Sequence, residues 1–419
     1  MSELTSMTSM TSMTSMTSMT SMTSMTGRGS AVALAGLSAL NNDPLVAEAL
    51  ITSRARNTAD REVLKTPWFR SGDYVAAALP GFNQPEHLKW WQADVRGHIC
   101  SQELQLGLSL EPDESVAECP AMRLVRTETQ RVPLAGLGLS EAALGQLGAA
   151  TSNGNLLLQR NIQVARIERP KRTVFDRQLE MVLAHADSDL RRSRASEILA
   201  QVVPQVPFWA SVVPLSPWRT PHTYELIGIA LKFGMEVTHR FKHALAVSRP
   251  SELSPLVQPL LQTPGWSALP SGHATEAFMF AKLMLRLLGQ DEVDAGDEPT
   301  QLWRTLQMQA VSIANNRVYA GVHYPIDGVA GRVLGDTLAE YVAAICCGSD
   351  WRSREFVGSV VPEALDLDID DPLDPSAGTY IKSQPGGAVT PNPLLQHMWA
   401  RATDELKALG FDVHPQAAQ

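Results

Sequence analysis

The chain has 419 residues, 44% of them hydrophobic, which suits one large domain or two small ones with a substantial core. A formal net charge of -9 argues against the general basic face of a nucleic-acid binder, so any cationic pocket is a local concentration on an acidic protein. No apolar run reaches the length of a membrane span: the best stretches, 224–237 and 274–288, are broken by Lys232, Glu276, Lys282 and Arg286.

Thr-Ser-Met repeats seven times between positions 5 and 25. Such a tract builds no core, and residues 1–26 are expected to be disordered. No positive segment precedes a clear apolar core at the start, so a soluble, cytoplasmic protein is expected rather than an exported one. Residues 27–170 read as a mixed region packed on the main body. Short helical pieces fill 27–65. An aromatic-rich stretch with Trp68, Phe69, Tyr74, Phe82, Trp90 and Trp91 reads as packing. Partial alternation over 121–134 and 155–168 predicts a hairpin or small sheet.

From Thr173 the pattern turns helical, with Val174, Leu179, Val182 and Leu183 at helical spacing. Pro204, Pro207, Pro214 and Pro217 mark a loop, and Pro221 opens a helix whose face carries Leu226, Ile229, Phe233 and Val237. That helix runs to about Val247, because Pro250 disfavours the α conformation at Arg249. Lys242 lies in its last turns. A Pro-rich loop over 251–272 ends in Pro270-Ser271-Gly272, and His273 opens an apolar helix. An acidic loop at 291–298 precedes a helix over about 301–319. Gly321 suits a break and Pro325 the first position of the next helix, with His323 just before it and Asp327 in its first turn. Residues 171–350 form the predicted catalytic bundle, and 351–419 an acidic linker and a C-terminal helix at 393–409. Cys100, Cys119, Cys346 and Cys347 show neither zinc-site spacing nor the density of a disulfide scaffold.

Three blocks carry the chemistry: Lys242 with Arg249-Pro250, then Pro270-Ser271-Gly272-His273, then Arg317 with His323 and Asp327. Lys242, Arg249 and Arg317 match the charge of a tetrahedral oxyanion, and arginine fits oxyanion edges with a planar fork. Ser271 and the Gly272 N–H add donors at a helix N-terminus, which favours anions. Two histidines supply a nucleophile or ligand and a proton carrier. Asp327 can reach back to His323 and fix its tautomer. His239 and His243, an i,i+4 pair beside Lys242, mimic a metal site but read as ordinary packed histidines.

These blocks resemble the signature of the superfamily joining vanadium-dependent haloperoxidases, bacterial acid phosphatases and type 2 phosphatidic acid phosphatases: Lys-x6-Arg-Pro, Pro-Ser-Gly-His, Ser-Arg-x5-His-x3-Asp. One position departs, with Asn316 where the family usually has Ser. The resemblance implies that His323 binds the central atom, that His273 is the acid–base group and that Asp327 orients His323. With the helix pattern, it implies a mainly α fold, a helical bundle with the oxyanion site in its core; the alternation at 121–134 and 155–168 adds a small β hairpin in the N-terminal half.

Two activities share such a pocket. One is a vanadium-dependent haloperoxidase, with vanadate as cofactor and hydrogen peroxide, halide and an organic acceptor as small-molecule partners; self-association is left open. The other is a soluble phosphatase working through a phospho-His323 intermediate. Ser271-Gly272-His273-Ala274-Thr275 and Ala320-Gly321-Val322-His323-Tyr324 resemble the haloperoxidase form. Trp266, seven residues before His273, is the halide-pocket candidate.

Overall fold

Strands and helices both contribute to this fold, for reasons visible along the chain. The computed structural model describes residues 85, 88, 91–116, 119–134, 151–152, 155–202, 205–290, 299–367, 380–411 and 413. The Thr-Ser-Met repeat, the pieces at 27–65, most of the aromatic stretch, the acidic loop at 291–298 and most of the Asp-rich tail lie outside them.

Helix α1 (Ala93–Gln105) precedes β1 (Leu108–Pro112) and β2 (Ala121–Pro133). The two-residue β3 (Thr151–Ser152) leads to β4 (Asn155–Glu168). β2 and β4 pair antiparallel from Ala121↔Glu168 to Pro133↔Asn155, with a register shift at Leu124/Val125. These are the two segments where alternation predicts strands. The last residues of β4 are buried on both faces, where β4 takes a second neighbour: β5 (Arg352–Phe356) pairs with it in parallel. β6 (Ile381–Pro385) closes the edge antiparallel to β5. The path is β1-β2-β4-β5-β6, with β3 beside β4.

The expectation of a mainly α bundle is therefore corrected. The molecule is an α/β mix with a mixed sheet. The hairpin is only its first half. Arg352-Ser353-Arg354-Glu355-Phe356 has no apolar run to announce a strand, and it becomes one by supplying backbone partners to a buried edge of β4.

The helices follow as α2 (Arg172–Ala186), α3 (Asp189–Ser193), α4 (Ala195–Ala200), α5 (Val206–Ala210), α6 (Pro221–Leu245), α7 (Pro250–Leu253), α8 (Gly272–Leu287), α9 (Gln301–Tyr319), α10 (Pro325–Cys347) and α11 (Pro393–Ala408). α6 buries Leu226, Ile229, Phe233 and Val237 and ends on Ala246 in the left-handed region, whose N–H donates to the Lys242 carbonyl. α8 lies against α6, α9 and α10. It comes closest to α10, where small residues are required: a Cβ on Gly331 would meet Ser271 O at 2.8 Å, and one on Gly335 would meet Thr275 O at 2.5 Å. α11 docks Leu394, Leu395, Met398 and Ala402 beside α6 and α10. Among the described residues, no helix is long and apolar enough to cross a membrane.

Candidate oxyanion site

The site forms where three chain turns meet at the ends of α6, α8 and α10. Arg249 sits extended (φ -73°, ψ 154°) just before Pro250, as the proline requires. Its side chain is fully buried. Nε donates to Trp266 O at 2.9 Å, and Nη1 donates to Val322 O at 2.7 Å and to His323 Nε2 at 2.9 Å. Lys242, 2% exposed, donates from Nζ to Ser267 O at 3.0 Å and Ala268 O at 2.7 Å. Burial, reinforced by the Arg249 charge and opposed by Asp327, drives the Lys242 ammonium well below its usual range.

Arg317, on the last turn of α9, donates from Nη2 to Ile198 O at 3.1 Å and to Gln201 Oε1 at 3.0 Å. Burial lowers both Arg249 and Arg317 to about 10, which leaves them charged at neutral pH. Three guanidinium positions, Arg249 Nη2 and Arg317 Nε and Nη1, are buried with no acceptor in the protein. Buried donors are normally satisfied. Forked N–H groups left open in this way fit the oxygens of a tetrahedral oxyanion, vanadate or phosphate alike.

The turn before α10 depends on Gly321, at φ 77°, where a Cβ would strike the Val257 side chain at 2.8 Å. It delivers His323 to the mouth of the helix. Asp327 Oδ2 accepts from His323 Nδ1 at 2.9 Å and from the Tyr324 N–H at 3.0 Å. The carboxylate thus fixes the imidazole proton on Nδ1 and leaves the Nε2 lone pair toward Arg249. Burial first, then Arg249, Lys242, His273 and Arg317, pushes His323 well below its ordinary value. The imidazole is neutral, with Arg249 in direct contact and the other three acting on it through space. Burial raises Asp327 to about 6 against the pull of the Tyr324 N–H, Lys242 and Arg249.

Ser271 is the N-cap of α8, its side chain accepting from the Ala274 N–H at 3.4 Å. Its own N–H donates to the Asp327 carbonyl at 2.9 Å, which ties the α8 start to the α10 start. Gly272 faces open space: a Cβ there would meet nothing within 4 Å. His273 Nε2 donates to the Gln201 carbonyl at 3.0 Å, leaving Nδ1 as the acceptor nitrogen. Burial and Arg317 push His273 down to about 3.

The sequence-predicted residues Lys242, Arg249, Ser271, Gly272, His273, Arg317, His323 and Asp327 thus come from the ends of α6, α8, α9 and α10 to one place. Trp266 stands apart in character. Its backbone carbonyl serves Arg249, while the residue is 36% exposed and its indole packs edge-on against His239 with ring centroids 5.3 Å apart. Sequence reasoning missed Gln201, which contacts Arg317, Asn316 and His273. Nothing local marks that glutamine. It also missed Gln178, whose Oε1 accepts from the Ile326 N–H at 2.9 Å and steadies the first turn of α10. It missed Gly331 and Gly335 as well, although small residues at i,i+4 spacing are a signal of close helix approach.

Residues 225–346 match the family model of the PAP2 superfamily, a span that contains every residue from Lys242 to Asp327. No curated protein matches the chain significantly.

Proposed function

We propose that this chain, whose residues 225–346 belong to the PAP2 superfamily, is a vanadium-dependent haloperoxidase. Membership supports oxyanion chemistry of the phosphatase or haloperoxidase type. One observation carries the reading of the site: three buried guanidinium N–H positions without acceptors lie beside an imidazole whose proton Asp327 holds on the far nitrogen. The finer reading rests on Ser271-Gly272-His273-Ala274-Thr275 and Ala320-Gly321-Val322-His323-Tyr324, which resemble the haloperoxidase form.

Vanadate would be held by Arg249, Arg317, Lys242, Ser271 and the Gly272 N–H, with His323 Nε2 as its protein ligand. When bound, it supplies the activation of hydrogen peroxide that halide oxidation needs. The chain's own part is electrostatic and protonic. Arg249 and Arg317 offer preorganised donors to oxygens carrying negative charge, each worth about 2.7–4 kcal/mol in comparable sites. Arg249 Nη1, now on His323 Nε2, would release that nitrogen for a bound oxyanion while keeping its bond to Val322 O. Asp327 stabilises the positive character that His323 then acquires. His273 accepts or returns a proton at Nδ1, with its ring fixed by the Gln201 carbonyl.

Hydrolysis of phosphomonoesters is the second reading. An unprotonated His323 Nε2 among cations also suits attack on phosphorus, with His273 protonating the leaving oxygen. The deciding assay incubates purified protein with orthovanadate and measures bromination of a dione with peroxide and bromide, beside hydrolysis of an aryl phosphate without vanadate. Vanadate-dependent bromination that disappears in His323→Ala, together with weakened oxyanion binding, is the expected result. Hydrolysis alone overturns the haloperoxidase reading. Full activity in His323→Ala overturns the site.

A further inference from the structure

Arg317 has an unusual neighbour for a buried cation. Among the described residues it forms no ion pair. Its Nη2 donates instead to a neutral amide, Gln201 Oε1, at 3.0 Å. Gln201 is fully buried at the C-cap of α4. Its Oε1 also accepts from Asn316 Nδ2 at 2.9 Å, and its Nε2 donates to Glu197 Oε1 at 2.8 Å. Two donors on one side and a carboxylate on the other fix which way the amide faces. Asn316, the position that departs from the family pattern, is itself held by Arg194 Nη1 at 3.2 Å. The order is therefore carboxylate, amide, guanidinium: Gln201 stands between Glu197 and Arg317.

This arrangement rests on the oxyanion reading above and deepens it. We propose that Gln201 is a positioning residue whose neutral amide holds Arg317 in place while keeping Glu197 out of direct contact with it, so that the site selects doubly charged tetrahedral anions over singly charged ones. A carboxylate in direct contact would hold Arg317 equally well but cancel its charge toward a guest. The amide aims the fork and leaves Nε and Nη1 both charged and open. Through its backbone carbonyl the same residue also aims His273. Proton carrier and anion clamp are thereby referenced to one point.

The test uses the full-length chain and two tetrahedral anions of different charge, sulfate and perchlorate, titrated calorimetrically. Gln201→Glu keeps the side-chain shape and places a negative charge against Arg317. Coulomb energy scales with the charge of the guest, so a loss of about tenfold for perchlorate goes with about a hundredfold for sulfate. A general defect that only lowers the fraction of folded chain would weaken both anions by the same factor. Glu197→Gln removes the carboxylate held one amide away from Arg317 and is expected to leave sulfate affinity unchanged or raise it by about twofold to threefold. Equal sulfate affinity in wild type and Gln201→Glu overturns the inference, as does an equal loss for both anions. If Gln201→Glu does not fold, weakened sulfate binding in Glu197→Gln overturns it independently. A wild-type chain that binds neither anion sinks the oxyanion reading itself, whereas a binding wild type with an indifferent Gln201→Glu sinks only the role of Gln201.

Discussion

Replacing Asp327 with Asn separates what this carboxylate does for turnover from what it costs the fold. A single oxygen, Oδ2, accepts both the His323 Nδ1–H at 2.9 Å and the Tyr324 N–H at 3.0 Å. An amide oxygen in its place keeps both bonds, so the tautomer and the α10 cap survive. What disappears is charge. Asp327 is fully buried, and burial lifts it from the ordinary 3.8 to about 6. A carboxyl raised in the fold contributes stability that is fully present below the unfolded value and is lost as pH rises through the folded one. That interval corresponds to about 3 kcal/mol at neutral pH. Asp327→Asn should therefore be more stable than wild type at pH 7.5 by up to about 3 kcal/mol, and the gap should close toward pH 4. Turnover should move the other way. Losing a negative charge hydrogen-bonded at 2.9 Å to a developing imidazole cation costs on the order of 3–6 kcal/mol at an effective dielectric of about 20, at least roughly a hundredfold in rate. Urea unfolding at the two pH values, with turnover measured on the same preparations, checks both halves. A stability gap that does not change with pH, or a variant with undiminished turnover, would refute the reasoning.

His273 lies at about 3 because burial and the Arg317, Lys242 and Arg249 charges oppose its protonation. A bound dianion offsets those charges, so an NMR titration should find the His273 value higher in saturating sulfate; an unchanged value would contradict its place beside the anion. His273→Ala should retain sulfate binding and lose most of the rate, and collapse of binding would remove its acid–base role. Gly335→Ala should destabilise the fold by about 1–3 kcal/mol, since its Cβ would stand 2.5 Å from Thr275 O and 3.0 Å from Met279 N. An unshifted melting temperature would show that α8 and α10 can part without penalty.

The placement of the candidate site was legible in the sequence because local signals set these side chains at particular helix ends. Pro250 sets Arg249 just beyond a helix, Ser271 caps another, and Pro325 places Asp327 within reach of His323 at i,i+4. Each of these is a local rule acting over a few residues. The strands β2 and β4 were legible for the same reason, through their alternation. What only the tertiary structure decided is non-local. The polar segment Arg352–Phe356 becomes a strand because β4 presents it an edge some 190 residues earlier, turning an expected α bundle with a hairpin into an α/β fold with a mixed sheet. Gln201 gains its part from contacts with residues more than 70 positions away, Asn316, Arg317 and His273. Composition and spacing specify which groups the chain carries and how each helix begins and ends. Which buried donors end without a partner, and which charge stays uncompensated, depends on packing between distant segments, because burial and Coulomb interactions act through space rather than along the backbone.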